Sequence, residues 1–116
     1  MNISDFYTSE HSEARKLPLL APNNTETDEF LMIIGYDSNL VREAKAEAYR
    51  LMIGSENKIK TAEDAKNIMR AAMIESWSFK TKCTLENKLK FLCGAPYLAD
   101  AVDLFSSNHE NFKQKK

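Results

Sequence analysis

Apolar positions in this chain come first in blocks and then in periodic stripes. NNTETDE (23–29) is rich in turn-forming residues and runs into FLMII (30–34), a short apolar block that a glycine ends at once. A block of this length between turn residues reads as a strand. Upstream, KLPLLAP (16–22) is a second short apolar piece. Pro18 has no amide hydrogen to give to a neighbour, so a strand here belongs at a sheet edge. Together the two segments predict a β-hairpin. A lone hairpin is marginal in water, so this one has to lean on the helices that follow.

Beyond the block the period changes to that of a helix. Gly35 allows a backbone turn that a side chain would resist, and Asp37 or Ser38 can accept from the free amides of the next helix. Leu40, Ala44, Ala48, Leu51 and Met52 then fall on one face, and Gly54 supplies the stop. In TAEDAKNIMRAAMIESWSF (61–79), Thr61 suits the N-cap, and Glu63 and Asp64 complement the dipole of the first turn. Ala65, Ile68, Met69, Ala72, Met73 and Trp77 continue as a stripe, predicting one helix that carries Trp77 on its inner face. After a polar break, KTKCT (80–84), Leu85, Leu89 and Leu92 repeat once per turn until Gly94. Pro96 suits the first position of a last helix whose inner face is Leu98, Ala101, Val102 and Phe105, with His109 and Phe112 extending the line. The expected fold is α+β, mainly α: a short N-terminal β-hairpin followed by about four short helices. Residues 15–112 form one domain between a mobile polar arm, 1–14, and a basic tail, 113–116.

Composition narrows the function classes. The 116 residues are 43% hydrophobic and 28% charged, ordinary for a soluble globular chain. Sixteen Lys and Arg against seventeen Asp and Glu leave a net charge of −1, which disfavours nucleic acid as a partner. The first residues have neither a basic region nor an apolar segment of the secretory kind, and no run is long enough to cross a membrane. An intracellular, soluble protein is expected. Cys83 and Cys93 match neither a redox nor a zinc spacing and are read as free thiols, Cys93 buried. With only His11 and His109 to complete a ligand set, no metal and no cofactor are expected. His109 has no nucleophile tied to it by spacing, and Glu63 with Asp64 is accounted for by the helix dipole, so no catalytic residue is assigned and the chain is not expected to be an enzyme.

The surplus is apolar: five Met, six Phe, four Tyr and one Trp. Unbranched thioethers repack cheaply against varied partners, so Met69, Met73, Trp77, Phe79, Phe105 and Phe112 are the candidate partner-binding side chains. The competing reading is that Met69, Met73 and Trp77 simply fill the core.

The order of these segments resembles the tail assembly chaperones of long-tailed bacteriophages. Four pieces carry the likeness across residues 15–112: the corner IIGYDSNLVREAKAEAYR, the central AAMIESWSF with its tryptophan, the leucine-rich LKFLCGAPYLADAVDLF, and the closing HENF. Gly35, Asp37, Ser38, Trp77, Pro96, Asn111 and Phe112 match the family pattern, as structural marks rather than a catalytic set. Ala95 stands where the family often has asparagine, and Ser78 where a Trp-Gly-like step is common. The resemblance implies an assembly factor of the infected bacterial cytoplasm, absent from the mature virion. It would shield the tape-measure protein until the tail tube protein polymerises around it, recruit that tube protein as a second partner, and associate with itself as a homo-oligomer.

Two alternatives stay open. One is a structural head-tail connector or tail-completion protein, which would remain in the particle. The other is a small DNA-binding regulator, with 61–93 as a helix-turn-helix and Lys80, Lys82, Lys88 and Lys90 as its positive charge.

Overall fold

The hairpin forms where turn residues and apolar blocks alternate. In the computed structural model, which describes residues 1–3, 13–53 and 62–112, strand β1 (Arg15–Leu20) pairs antiparallel with β2 (Glu26–Ile33). Asn24 takes a left-handed backbone, φ 66°, which asparagine tolerates better than most residues, and this lets the chain reverse. Pro18 lies on β1, and β1 is an edge strand, as its missing donor requires. The register slips between Pro18 and Leu20; there the Thr27 hydroxyl donates to the Leu19 carbonyl at 2.7 Å.

Helices α1 (Asn39–Ile53), α2 (Ala62–Met73), α3 (Leu85–Gly94) and α4 (Pro96–Ser107) follow, and a 3₁₀ turn (His109–Phe112) closes the described chain. The architecture is therefore α+β and mainly α. Several expectations lie outside the described residues: the arm over 4–12, the stop at Gly54, the cap at Thr61, the tail at 113–116, and the side chains of Ala48, Leu51, Met52 and His109.

The helix expected through Trp77 ends at Met73. Ile74–Trp77 forms a third strand, β3, giving the sheet order β1-β2-β3. Ile, Ser and Trp have little helix preference, whereas β2 would otherwise present an open row of amides and carbonyls on that side. β3 answers that row, with Leu31 opposite Trp77 and Met32 opposite Ser76. Ser78 then extends the pairing with both its groups: its amide donates to the Phe30 carbonyl at 3.0 Å, and its hydroxyl accepts from the Phe30 amide at 2.8 Å.

The core lies between one face of this sheet and the helices. Leu31, Ile33, Ile68, Met73, Ile74, Leu92 and Val102 are almost fully buried, each worth about 1.5–3 kcal/mol in transfer free energy. Of the Leu85, Leu89 and Leu92 stripe, Leu92 enters the core and the other two pack against it half-buried; Cys93, one position around the helix, is exposed rather than buried. In α4 the expected face holds, with Leu98 and Val102 buried and Ala101 and Phe105 half-buried.

In the first turns of α1 the described residues depart from the expected face. Val41 is buried and Tyr49 half-buried, while Leu40 and Ala44 face out. Ser38 caps the helix by accepting from the Leu40 amide at 3.2 Å, and Tyr49 reaches α2, donating to the Ala65 carbonyl at 3.4 Å. The short tether from β2 and this contact with α2 turn Val41 and Tyr49, not Leu40 and Ala44, toward the rest of the fold.

Candidate functional site

The corner between β2 and α1 is built without unusual backbone. Gly35 has no positive φ, so the turn does not need glycine's left-handed freedom. Its neighbour is the Phe112 ring, which a β-carbon on residue 35 would meet at 3.5 Å, an ordinary contact distance. The Ser38 amide donates to the Gly35 carbonyl at 3.1 Å, and the corner is tied to the helices through Ile34 to the Met73 carbonyl (2.8 Å) and Tyr36 to the Ser106 carbonyl (3.3 Å). At the other end of the described chain, Asn111 Nδ2 donates to the Phe105 carbonyl at 2.9 Å, a second bond to an acceptor that the Asn108 amide also reaches at 3.3 Å at the end of α4. Phe112 then meets Phe105 edge-on at 5.7 Å. Gly35, Ser38, Asn111 and Phe112 thus form one joint that locks the end of the described chain onto the sheet-to-helix corner.

The six candidate partner-binding side chains divide by burial. Met73 (2% exposed) and Phe112 (6%) are core residues and offer no surface to a partner. Phe105 is half-buried against Phe112. Trp77 and Phe79 are brought together with Phe91 into a triad whose ring centroids are 5.4–5.6 Å apart in edge-to-face and tilted geometry. The indole N–H of Trp77 donates to the Thr81 carbonyl at 2.6 Å. A groove of about 380 Å³ opens beside the triad, with Asn87 and Lys90 on its rim. The rings touch one another, so they make a wall and not a cage.

Met69, 36% exposed, lies elsewhere. It joins Tyr36, Val41, Arg42, Lys45 and Tyr49 in a second groove, also of about 380 Å³, between α1 and α2 at the β2 corner. The pattern of apolar residues did not reveal this groove, because its distinctive members are polar or amphipathic. The available signal was the spacing of Arg42, Lys45 and Tyr49 at i, i+3 and i+7 on α1. Elsewhere on the surface, Leu20, Leu40, Tyr97 and Leu104 are also exposed, Leu104 at 76%.

Two charged arrangements hold the framework. Arg70 is buried on α2, with its guanidinium Nε and Nη2 on the Asp103 carboxylate at 2.7–3.0 Å; Nη1 donates to Glu63 (2.7 Å) and Asn67 (2.8 Å). Its hydrogen bonds to Asp103 first, and then to Glu63, raise its pKa well above the ordinary value against the opposing effect of burial. This fork ties α2 to α4. Lys88 of α3 donates to the Ala71 carbonyl at 3.3 Å, near the C-terminal end of α2, where a cation is favoured. Burial lowers the Lys88 pKa and raises that of Cys83, and the electrostatic interaction between the two opposes both shifts.

Among the described residues, no group of three or more His, Cys, Asp or Glu side chains is placed to hold a metal ion, and no helix is long and apolar enough to cross a membrane. The arrangement is suited to binding: two grooves with apolar walls and cationic rims on a framework closed by buried contacts. Compared with protein-family models, curated proteins and solved structures, the chain matches none.

Proposed function

We propose that this chain is a bacteriophage tail assembly chaperone, a non-enzymatic protein that binds the tape-measure protein and shields its apolar helices during tail morphogenesis. It works in the host bacterial cytoplasm, associates with itself, recruits tail tube protein as a second partner, and leaves before the particle is complete. The observation that carries this reading is the apolar surface left over after folding: Tyr36, Leu40, Met69, Tyr97 and Leu104 remain at least 36% exposed although a full core has formed beneath them. Surface of this kind, with an adaptable methionine and amphipathic tyrosines, suits transient cover of another protein's helix. The ordered resemblance of the corner, the central tryptophan segment and the closing Asn-Phe gives the reading its particular client.

Co-expression tests it. Co-expressed with a phage tape-measure protein, the chain is expected to move this client from the pelleted to the soluble fraction and to co-purify with it, while purified particles lack the chain. A client that stays in the pellet, or a chain retained in finished particles as a connector or completion protein would be, overturns the reading.

A further inference from the structure

The groove between α1 and α2 combines an apolar lining with two cations that the fold does not pair. On this molecule the acids Glu63 and Asp103 are drawn to Arg70, Glu47 to Arg50, and Glu86 to Lys90. Arg42 and Lys45, by contrast, form no ion pair among the described residues, and both line the groove. The one acid on its wall, Asp37, is already engaged within the fold. Beside these cations the groove is lined by Tyr36, Val41, Tyr49 and Met69. The site therefore offers an apolar trough edged by two cations against one acid, Asp37.

We propose that this groove is the docking site for an amphipathic helix whose apolar stripe is flanked by Asp and Glu; on the chaperone reading, on which the identity of the client rests, such helices are the segments of client that the chain holds. The occupant's form follows from the walls. A trough between two helices accepts the ridge of a third, and about 380 Å³ holds a few apolar side chains rather than a whole folded surface. Arg42 and Lys45 stand one turn apart on α1, so they meet acids spaced one turn apart on the incoming helix. Met69 adjusts to different apolar side chains, and the charged edge supplies the selection that a soft floor does not.

Two synthetic peptides of about 18 residues, long enough to hold some helix in water, separate the possibilities. Both carry the same leucine stripe; one is flanked by Glu, the other by Lys. Titrated against the isotope-labelled full chain, the Glu peptide is expected to bind at least roughly tenfold tighter at low salt, with the gap closing as salt rises. Amide shifts should centre on Arg42, Lys45, Tyr49 and Met69. The double variant Arg42→Glu with Lys45→Glu should invert the preference with little change in melting, since Arg42 is exposed, Lys45 is half-buried and neither forms an ion pair among the described residues; Met69→Lys should weaken both peptides. The salt dependence of the unmodified chain carries the same test without any substitution. Equal affinity for the two peptides overturns the proposal, as do shifts centred on Trp77 and Phe91. So does a charge reversal whose only effect is to abolish association of the chain with a second copy of itself. The outcomes stay separable from those of co-expression: a soluble client with indifferent peptides removes the groove and keeps the chaperone, whereas selective peptides with an insoluble client do the reverse.

Discussion

The two grooves are equal in volume and opposite in construction. Beside the Trp77, Phe79 and Phe91 triad every large side chain is already held, by ring contacts and by the indole hydrogen bond to Thr81. Beside Arg42 and Lys45, the two cations form no ion pair among the described residues, and Met69 is 36% exposed. The difference separates an extension of the core that happens to reach the surface from a surface that folding leaves unfinished. Aromatic content alone would have chosen the first groove as the binding site. The partners of each side chain choose the second.

The comparison breaks most visibly at Trp77. Trp77→Ala removes two edge contacts and a half-buried ring, and is expected to cost about 3 kcal/mol or more in denaturant unfolding, whereas Met69→Ala, at a side chain 36% exposed, should cost less than about 1 kcal/mol. Equal losses would erase the distinction between the grooves. Arg70→Ala should come next, at about 2 kcal/mol, because the fork to Asp103 is lost but its half-exposed carboxylate partners regain water. Arg70→Lys should fall between the two, since an ammonium cannot make the paired contact. Urea titration of the three proteins orders them.

The smallest effect is one of pH. Burial raises the Cys83 pKa above its ordinary 9.0, so above that value the unfolded chain loses a proton that the folded chain keeps, and stability falls as pH rises. Lys88 has the opposite sign: its pKa lies below the ordinary 10.5, so approaching that value the folded chain gives up a proton that the unfolded chain keeps, and stability rises. Cys83→Ser removes the falling contribution. Its stability relative to the unmodified chain should therefore grow as pH is raised past 9, a trend that melting across alkaline buffers will read; a gap that does not change removes the assigned role of Cys83.

Local pattern reached the hairpin, the edge position of Pro18, the acidic first turn of α2 and the inner face of α4. These depend on neighbours within a turn or two, through turn chemistry, the missing proline donor, the helix dipole and the helical period. It missed β3 because MIESW suits a helical stripe as well as a strand, and the deciding partner, β2, lies far back in the chain. It misplaced Leu40 and Ala44 of α1 because the tether at Ser38 and the reach of Tyr49 to Ala65 turn other residues inward there. Gly35 was read as a conformational need, whereas its backbone is ordinary and its neighbour is Phe112, from the far end of the chain. Of the candidate site, Met69 was legible as an adaptable apolar side chain. Arg42, Lys45 and Tyr36 were not, since nothing in a charge pattern says which cations will remain without a partner.

What the order of amino acids determined alone was the inventory: which segments can be strands or helices, how much apolar material must be hidden, and that some of it is spare. Tertiary structure decided which apolar groups were spent on the core and which charges were spent on each other. Burial and pairing are relations between residues distant in sequence, so only the folded chain shows that Arg70 is consumed and that Arg42 and Lys45 are left over.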